Sequence, residues 1–322
     1  MDKHDVLFDR AGARSLAESR LCDEIKVLSD VVEFGSKLIL RLNNHTDRSE
    51  FVFHEYIVGG SLLKQLVGML DAAVELLKIG HSFPALLPAR SAFEAYLYIL
   101  LILHKDKDRR SRLYYIAEIH RRRQLIMDVL QGNTIPEGLR QDLQDIRGKP
   151  PPPISDSVKS LLIDDIKSID RLLEMPVHKS HNEVYIAKRG KRRDLDWFKA
   201  LGLESLWAVA KTVRKDGEYK LIYNPGSRAM HAQSYADQFE TVNGVSYLKP
   251  IRHLNHAYEV VDAIILMGLH VYSAIIKEYF PAEHDVFVAK FRADWRPYLF
   301  SMKRINYAYS PYTETAHGGV HE

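Results

Sequence analysis

Residues 61–79, SLLKQLVGMLDAAVELLKI, place Leu62, Leu66, Met69, Leu70, Ala73, Leu76 and Leu77 at spacings of three and four. That period puts one apolar stripe along a helix, with Lys64, Asp71 and Glu75 off it. Gly80 is the stop signal. Pro84 and Pro88 then open a second helix that runs to about His104. Proline is tolerated in a first turn, where its missing N–H had no partner to lose. Two long apolar helices joined by a short turn indicate a helical bundle.

The same period recurs on both sides. Ser15 to Leu42 aligns Leu16, Leu21, Ile25, Leu28, Val32, Leu38, Ile39 and Leu42. Arg110 to Leu130, Asp156 to Glu174, Leu195 to Val213 behind an Asp194 cap, Arg252 to Phe280 before Pro281, and Glu283 to Arg304 read as further helices. Pro176 to Arg193 reads as polar and irregular, and Asp216-Gly217 as a turn. Gly148 to Pro153, with four prolines, reads as an extended break. Strand signal is confined to Gly244 to Leu248, enough for one short hairpin arm. The expectation is an all-α multi-helix bundle of roughly seven to ten helices. It forms one domain over residues 1–304, and residues 305–322 form a C-terminal tail.

The chain has 322 residues, 46% hydrophobic and 27% charged, with 45 basic and 42 acidic side chains for a net charge of +3. Any attraction for nucleic acid must therefore be local. Cys22 is the only cysteine, which excludes an internal disulfide and Cys-rich metal sites and fits a reducing compartment. The N-terminus lacks a secretory apolar core, and the longest apolar run, Ala95 to Leu103, is too short to cross a bilayer. These features predict a cytoplasmic protein without a membrane span.

Chemistry-bearing residues concentrate in Tyr219 to His231. Asn224-Pro225 has the form of a cap and first helical residue. Ser227 and His231 then share a face, and Arg228 stands in the first turn. A cation there opposes the helix dipole and asks for an anionic partner. Arg90 and Glu94 lie four apart on an otherwise apolar helix, where charges are costly unless paired or used. Two readings stay open: an internal ion pair that fixes packing, or a cleft in which Glu94 orients His231 and Arg90 holds a phosphate. The run Lys188, Arg189, Gly190, Lys191, Arg192, Arg193 offers phosphate contacts, with Tyr185 and Trp197 as flanking stacking partners, or else is a solvated loop. Arg121 to Arg123 reads as an exposed face. His253, His256 and Glu259, and His178, His181 and Glu183, are incomplete as metal sets. No Walker, Rossmann or nucleophile-elbow pattern occurs, so no cofactor and no metal are expected.

The run Ala89 to Ala95, then Trp197, then Tyr219, Tyr223, Ser227 and His231 in the spacing Tyr-x-x-x-Ser-x-x-x-His, resembles a bacterial family catalogued as domain of unknown function 5677, over about residues 55–280. That family is similar to the HEPN superfamily of helical bundles. Many HEPN proteins are metal-independent ribonucleases of toxin, phage-defence and CRISPR systems, and others are non-catalytic binding modules. The resemblance implies an RNA-cleaving homodimer with an HEPN-like core and added terminal helices. His231 would be its general acid or base, Arg228 and Arg90 would stabilise phosphate charge, Ser227 and Tyr223 would position the strand, and Glu94 would orient His231. The alternative it implies is a module that binds nucleic acid, nucleotide or a partner protein without cleavage. Active HEPN nucleases carry Arg and His separated by four to six residues. Here Arg228 is three positions before His231, and the wider spacing occurs only as Arg48 to His54 and Arg171 to His178.

Overall fold

The computed structural model describes residues 7–45, 53–132, 137–149, 154–233, 235–242 and 244–301. The expected Pro150 to Pro153 linker, the tail from residue 305 and Arg48 lie outside the described residues. The fold is all-α with one hairpin. Its helices are α1 (Arg10–Arg20), α2 (Cys22–His45), α3 (Phe53–Lys78), α4 (Ser82–His104), α5 (Lys107–Leu130), α6 (Glu137–Arg147), α7 (Asp156–Leu173), α8 (Pro176–Arg189), α9 (Leu206–Thr212), α10 (residues 216–230), α11 (Ala257–Tyr279) and α12 (residues 284–301). A 3-10 turn, Trp197–Leu201, precedes α9. β1 (Phe239–Val242) and β2 (Val245–Leu248) pair antiparallel, Phe239 opposite Leu248. The second strand is the hairpin arm that the sequence predicts.

Contacts divide the chain into two compact units, Met1–Lys105 with Val209–Glu322, and Asp106–Ala208. In the first, α3 packs along α4, and α11 packs on α4, α2 and α3. The stripe of α3 behaves as its spacing requires: Leu62, Leu66, Leu70, Ala73 and Leu77 are fully buried. Phe93, Tyr96, Val261 and Tyr272 complete this core. Phe34 meets Trp295 edge-on at 5.5 Å between ring centres and also contacts Tyr272 and Phe287. In the second unit α5 packs against α8 and α7. Leu113, Ile116, Tyr185, Trp197 and Phe198 are buried there, and the Tyr185 hydroxyl donates to the Leu195 carbonyl at 2.8 Å.

By length and composition, α3, α4 and α11 could each cross a membrane; 56%, 56% and 61% of their apolar windows are buried within the structure. An uninterrupted-run criterion misses this, because isolated polar residues break each run.

Several boundaries differ from the sequence reading. The segment 15–42 is two helices broken at buried Leu21, and Asp9 caps the first by accepting from the Gly12 amide at 2.7 Å. Residues 176–189 are helical rather than irregular: Met175 is extended and Pro176 takes the first turn. The expected Leu195 to Val213 helix is interrupted at Gly202, whose φ of +82° is a left-handed value that glycine adopts without strain. α11 starts at Ala257, five residues late, because His256 is left-handed at φ +70°. Asp216-Gly217 is the start of α10, not a turn.

Candidate functional site

α10 is one helix with a wide turn inside it. Its middle, Tyr219–Tyr223, is π-helical, and Asn224–Met230 continues it in α geometry. Asn224 is therefore interior and caps nothing: the residue before the last segment, Tyr223, is already helical. Arg228 consequently lies in the last turn of the helix, where a cation is favoured by the dipole. The expected electrostatic conflict, and the anion it called for, do not arise. The widened turn explains how Pro225 fits inside a helix. Proline lacks an N–H and crowds the carbonyl four residues back, here Leu221, which sits within the π segment.

α10 crosses α4 at Gly226. A Cβ at that position would stand 2.6 Å from Arg90 Cβ and 2.8 Å from the Leu86 carbonyl oxygen, so only glycine permits this approach. The register is antiparallel: Gly226 meets Leu86 and Arg90, Tyr223 meets Arg90 and Phe93, and Tyr219 meets Phe93.

Arg90 is held from three directions. Its Nη2 lies 3.0 Å from Glu94 Oε1 and donates to the Tyr223 hydroxyl at 2.8 Å, and its guanidinium carbon stands 4.6 Å from the Tyr223 ring centre. Its side chain is 14% exposed and that of Glu94 32%. Tyr223 stacks on Tyr219 at 4.6 Å and 24°. Burial, with the neighbouring Tyr223, raises the Tyr219 pKa above its ordinary value. Three of the residues singled out from sequence, Arg90, Glu94 and Tyr223, thus form one cluster, and Ser227 lies one turn from Tyr223, half-buried.

His231 and Arg228 stand apart from it. Both are exposed, and neither side chain has a hydrogen-bond or ion-pair partner among the described residues. In the antiparallel register His231 lies beyond Gly226 toward the start of α4, whereas Glu94 lies the other way, roughly 13 Å apart along the helix axes. The expected Glu94–His231 contact is therefore replaced by Glu94–Arg90, and the guanidinium expected to hold phosphate is engaged internally. A cavity of about 800 Å³ in the same unit is lined by Glu218, Leu221, Ile222, Asp262, Leu266 and His270 among others; Arg90, Glu94, Ser227 and His231 are not part of it.

The basic run belongs to the second unit and splits in two. Lys188, Lys191 and Arg192 are exposed and have no carboxylate partner among the described residues. Arg193 pairs with Asp128, and Arg189 contacts His120. Tyr185 and Trp197, expected to stack on bases, are buried at 0% and 1% exposure and serve the core. Arg121, Arg122 and Arg123 are paired with Glu118, Asp194, Asp196, Asp165 and Asp170.

The same unit holds a polar network that sequence reasoning passed over. Buried His120 stacks on Tyr185 and bonds Asn182 Oδ1 through Nε2 at 2.7 Å. The signal was present: His178, Asn182 and Tyr185 recur at four and three, a buried helical stripe made of polar and aromatic residues. Among the described residues no group of three or more His, Cys, Asp or Glu side chains is placed to hold a metal ion. His253 is buried, and His256 lies 3.7 Å from Glu259 and 3.9 Å from Asp237.

Residues 56–239 match the model of a family described as a family of unknown function (DUF5677). No curated protein and no solved structure matches the chain.

Proposed function

The chain belongs to the DUF5677 family of unknown function, and from that premise we propose an activity on the geometry alone: a non-catalytic helical module that binds RNA through the corner formed by Lys188, Lys191 and Arg192. The observation that carries it is three exposed cations within five residues around the Gly190 turn, without carboxylate partners among the described residues. Arg109, Arg112, Arg121, Arg122, Arg123 and Arg193 of this unit each pair with an acid, whereas Lys188, Lys191 and Arg192 stand together and pair with none among the described residues. Recognition by such a corner is electrostatic and tolerant of sequence.

The test is fluorescence anisotropy with a labelled single-stranded RNA over a salt series. Each phosphate contact contributes a slope of roughly −0.7 in log K against log salt, so removing three flattens it by about 2. Lys188→Ala/Lys191→Ala/Arg192→Ala should bind at least about tenfold more weakly at low salt. Equal binding by wild type and triple variant overturns the reading.

A second reading rests on His231 and Arg228, which are exposed, have no side-chain partner among the described residues and follow Ser227 at one helix end. It is the metal-independent ribonuclease of an HEPN-like homodimer, with His231 as general acid or base and no role for Glu94 in orienting it. RNA cleavage that persists in EDTA and is lost in His231→Ala supports it. Binding without cleavage leaves the first reading.

A further inference from the structure

The second unit holds a polar, open-mouthed cavity of about 350 Å³ between α5, α7 and α8, with His120, Arg123, Gln124, Asp170, Asn182 and Arg189 in its lining. We propose that it binds a small molecule carrying a carboxylate or phosphate group, gripped by the Arg189 guanidinium and the Asn182 amide. The volume is at the lower end of small-molecule pockets, roughly 300–1,000 Å³. The ligand is therefore a small molecule rather than the RNA strand proposed for the exposed corner.

The argument is a donor–acceptor count. A guanidinium has five N–H donors and no acceptor. Arg189 uses one, from Nη1 to His120 Nδ1 at 3.4 Å. Its Nε is buried with no partner, and no carboxylate lies within ion-pair distance among the described residues. By contrast, Arg121, Arg122, Arg123 and Arg193 nearby each hold an Asp or Glu.

The contact also fixes the imidazole. Because Arg189 can only donate, His120 Nδ1 accepts, and its proton sits on Nε2, donating to Asn182 Oδ1. Burial first, and the positive charges of Arg189 and Arg123 after it, lower the His120 pKa, so the ring stays neutral in this role. With its oxygen occupied, Asn182 has its two N–H donors left over.

The carboxylates around the cavity already face donors from the chain. Both Asp170 oxygens take Arg123, at 2.7 and 3.3 Å. Asp128 receives Gln124 at 3.0 Å and also Arg193. Glu174 faces Lys179 at 3.6 Å. The wall thus presents surplus donors and one unneutralised guanidinium, a pattern complemented by an oxyanion. A ligand of this class would give Arg189 the acid that the chain does not supply.

The experiment is a titration of the ¹⁵N-labelled full chain with inorganic phosphate and, separately, succinate. The arginine Nε–Hε cross-peak of Arg189, identified by its absence in Arg189→Lys, is followed by NMR. The expected result is a saturable shift with at least one anion; the arm that saturates names phosphate or carboxylate as the group. Arg189→Gln, read by calorimetry, should weaken that binding by about tenfold or more. If Arg189→Gln fails to fold, Arg189→Lys carries the comparison, because it keeps the charge and loses the fork. Shifts that do not saturate with either anion, or affinity unchanged in the variant, overturn the proposal.

Discussion

At the scale of single residues, Arg90 decides between two readings that the sequence leaves open. The four-residue spacing to Glu94 is legible because it is fixed within one helix. The third member, Tyr223, is 133 positions away and is not. Removing Arg90 takes the ion pair from Glu94 and the hydrogen bond from the Tyr223 hydroxyl together. Arg90→Ala should therefore destabilise the protein by about 2–3 kcal/mol, read from urea unfolding midpoints. Tyr223→Phe, which loses the hydroxyl and keeps the ring, should cost only about 1 kcal/mol. Equal stability of Arg90→Ala and wild type would show that the cluster does not fix α10 on α4. Arg228 teaches the converse. Its expected conflict with a helix dipole depended on Asn224 being a cap, and a nine-residue difference in the helix start, Asp216 instead of Pro225, reversed the sign of the interaction.

At the scale of elements, the same error has a physical source. Asn-Pro is read as a beginning because proline suits a first turn, but a π turn ahead of it lets the helix run through. α12 repeats the pattern: its π segment, Phe291–Trp295, is followed by Pro297 just as Tyr219–Tyr223 is followed by Pro225. α4 and α3 from Ser61 onward were legible because their apolar period is strong, whereas of the hairpin only the second strand was, β1 carrying no strand signal that the sequence reading used. α8 was not, because its buried face is His178, Asn182 and Tyr185, which a hydrophobicity criterion scores as polar. Gly226 is the element-level contact most exposed to test. Gly226→Ala adds helix propensity, yet its methyl group meets Arg90 Cβ and a backbone carbonyl. The expected net effect is a loss of about 1–3 kcal/mol, as for overpacking, with a lower denaturation midpoint and an unchanged m-value. A stabilised variant would contradict this helix–helix approach.

At the scale of the whole molecule, three helices among the described residues have enough apolar length to span a bilayer, yet each carries charges along it. α3 bears Lys64, Asp71, Glu75 and Lys78, the last two paired at 2.6 Å; α4 bears Arg90 and Glu94; α11 bears Glu259, Asp262, Lys277 and Glu278. Charges within a lipid-facing span cost several kcal/mol each, whereas these helices bury their apolar faces on one another. The expected outcome is protein that stays in the aqueous fraction on liposome flotation without detergent; co-flotation would show that these helices turn apolar surface to lipid. Acid response is the other global property. His253 is buried, its Nδ1 has no partner, and its pKa is pushed down to about 4, by burial first and then by Lys249, His256 and His81. Burial also lowers His120 and His270. A histidine depressed in the folded state binds fewer protons there than in the unfolded chain, whose ordinary value is about 6.5. Stability is therefore complete above about pH 6.5 and falls as pH drops toward the folded value, with the unfolded state taking up the extra proton. For His253 alone the loss between pH 7.5 and pH 5 is about 2 kcal/mol. Urea unfolding at the two pH values should show a lower midpoint at pH 5, and His253→Gln should narrow the gap between them. Carboxylates lowered by partners, such as Glu283 beside Arg41, titrate below this window and add their losses only at more acid pH. The Ser82 hydroxyl at the start of α4 donates to the His253 carbonyl at 2.6 Å, and a midpoint that stays constant from pH 7.5 to pH 5 would mean that His253 can be protonated where it sits, and hence that this contact opens to water.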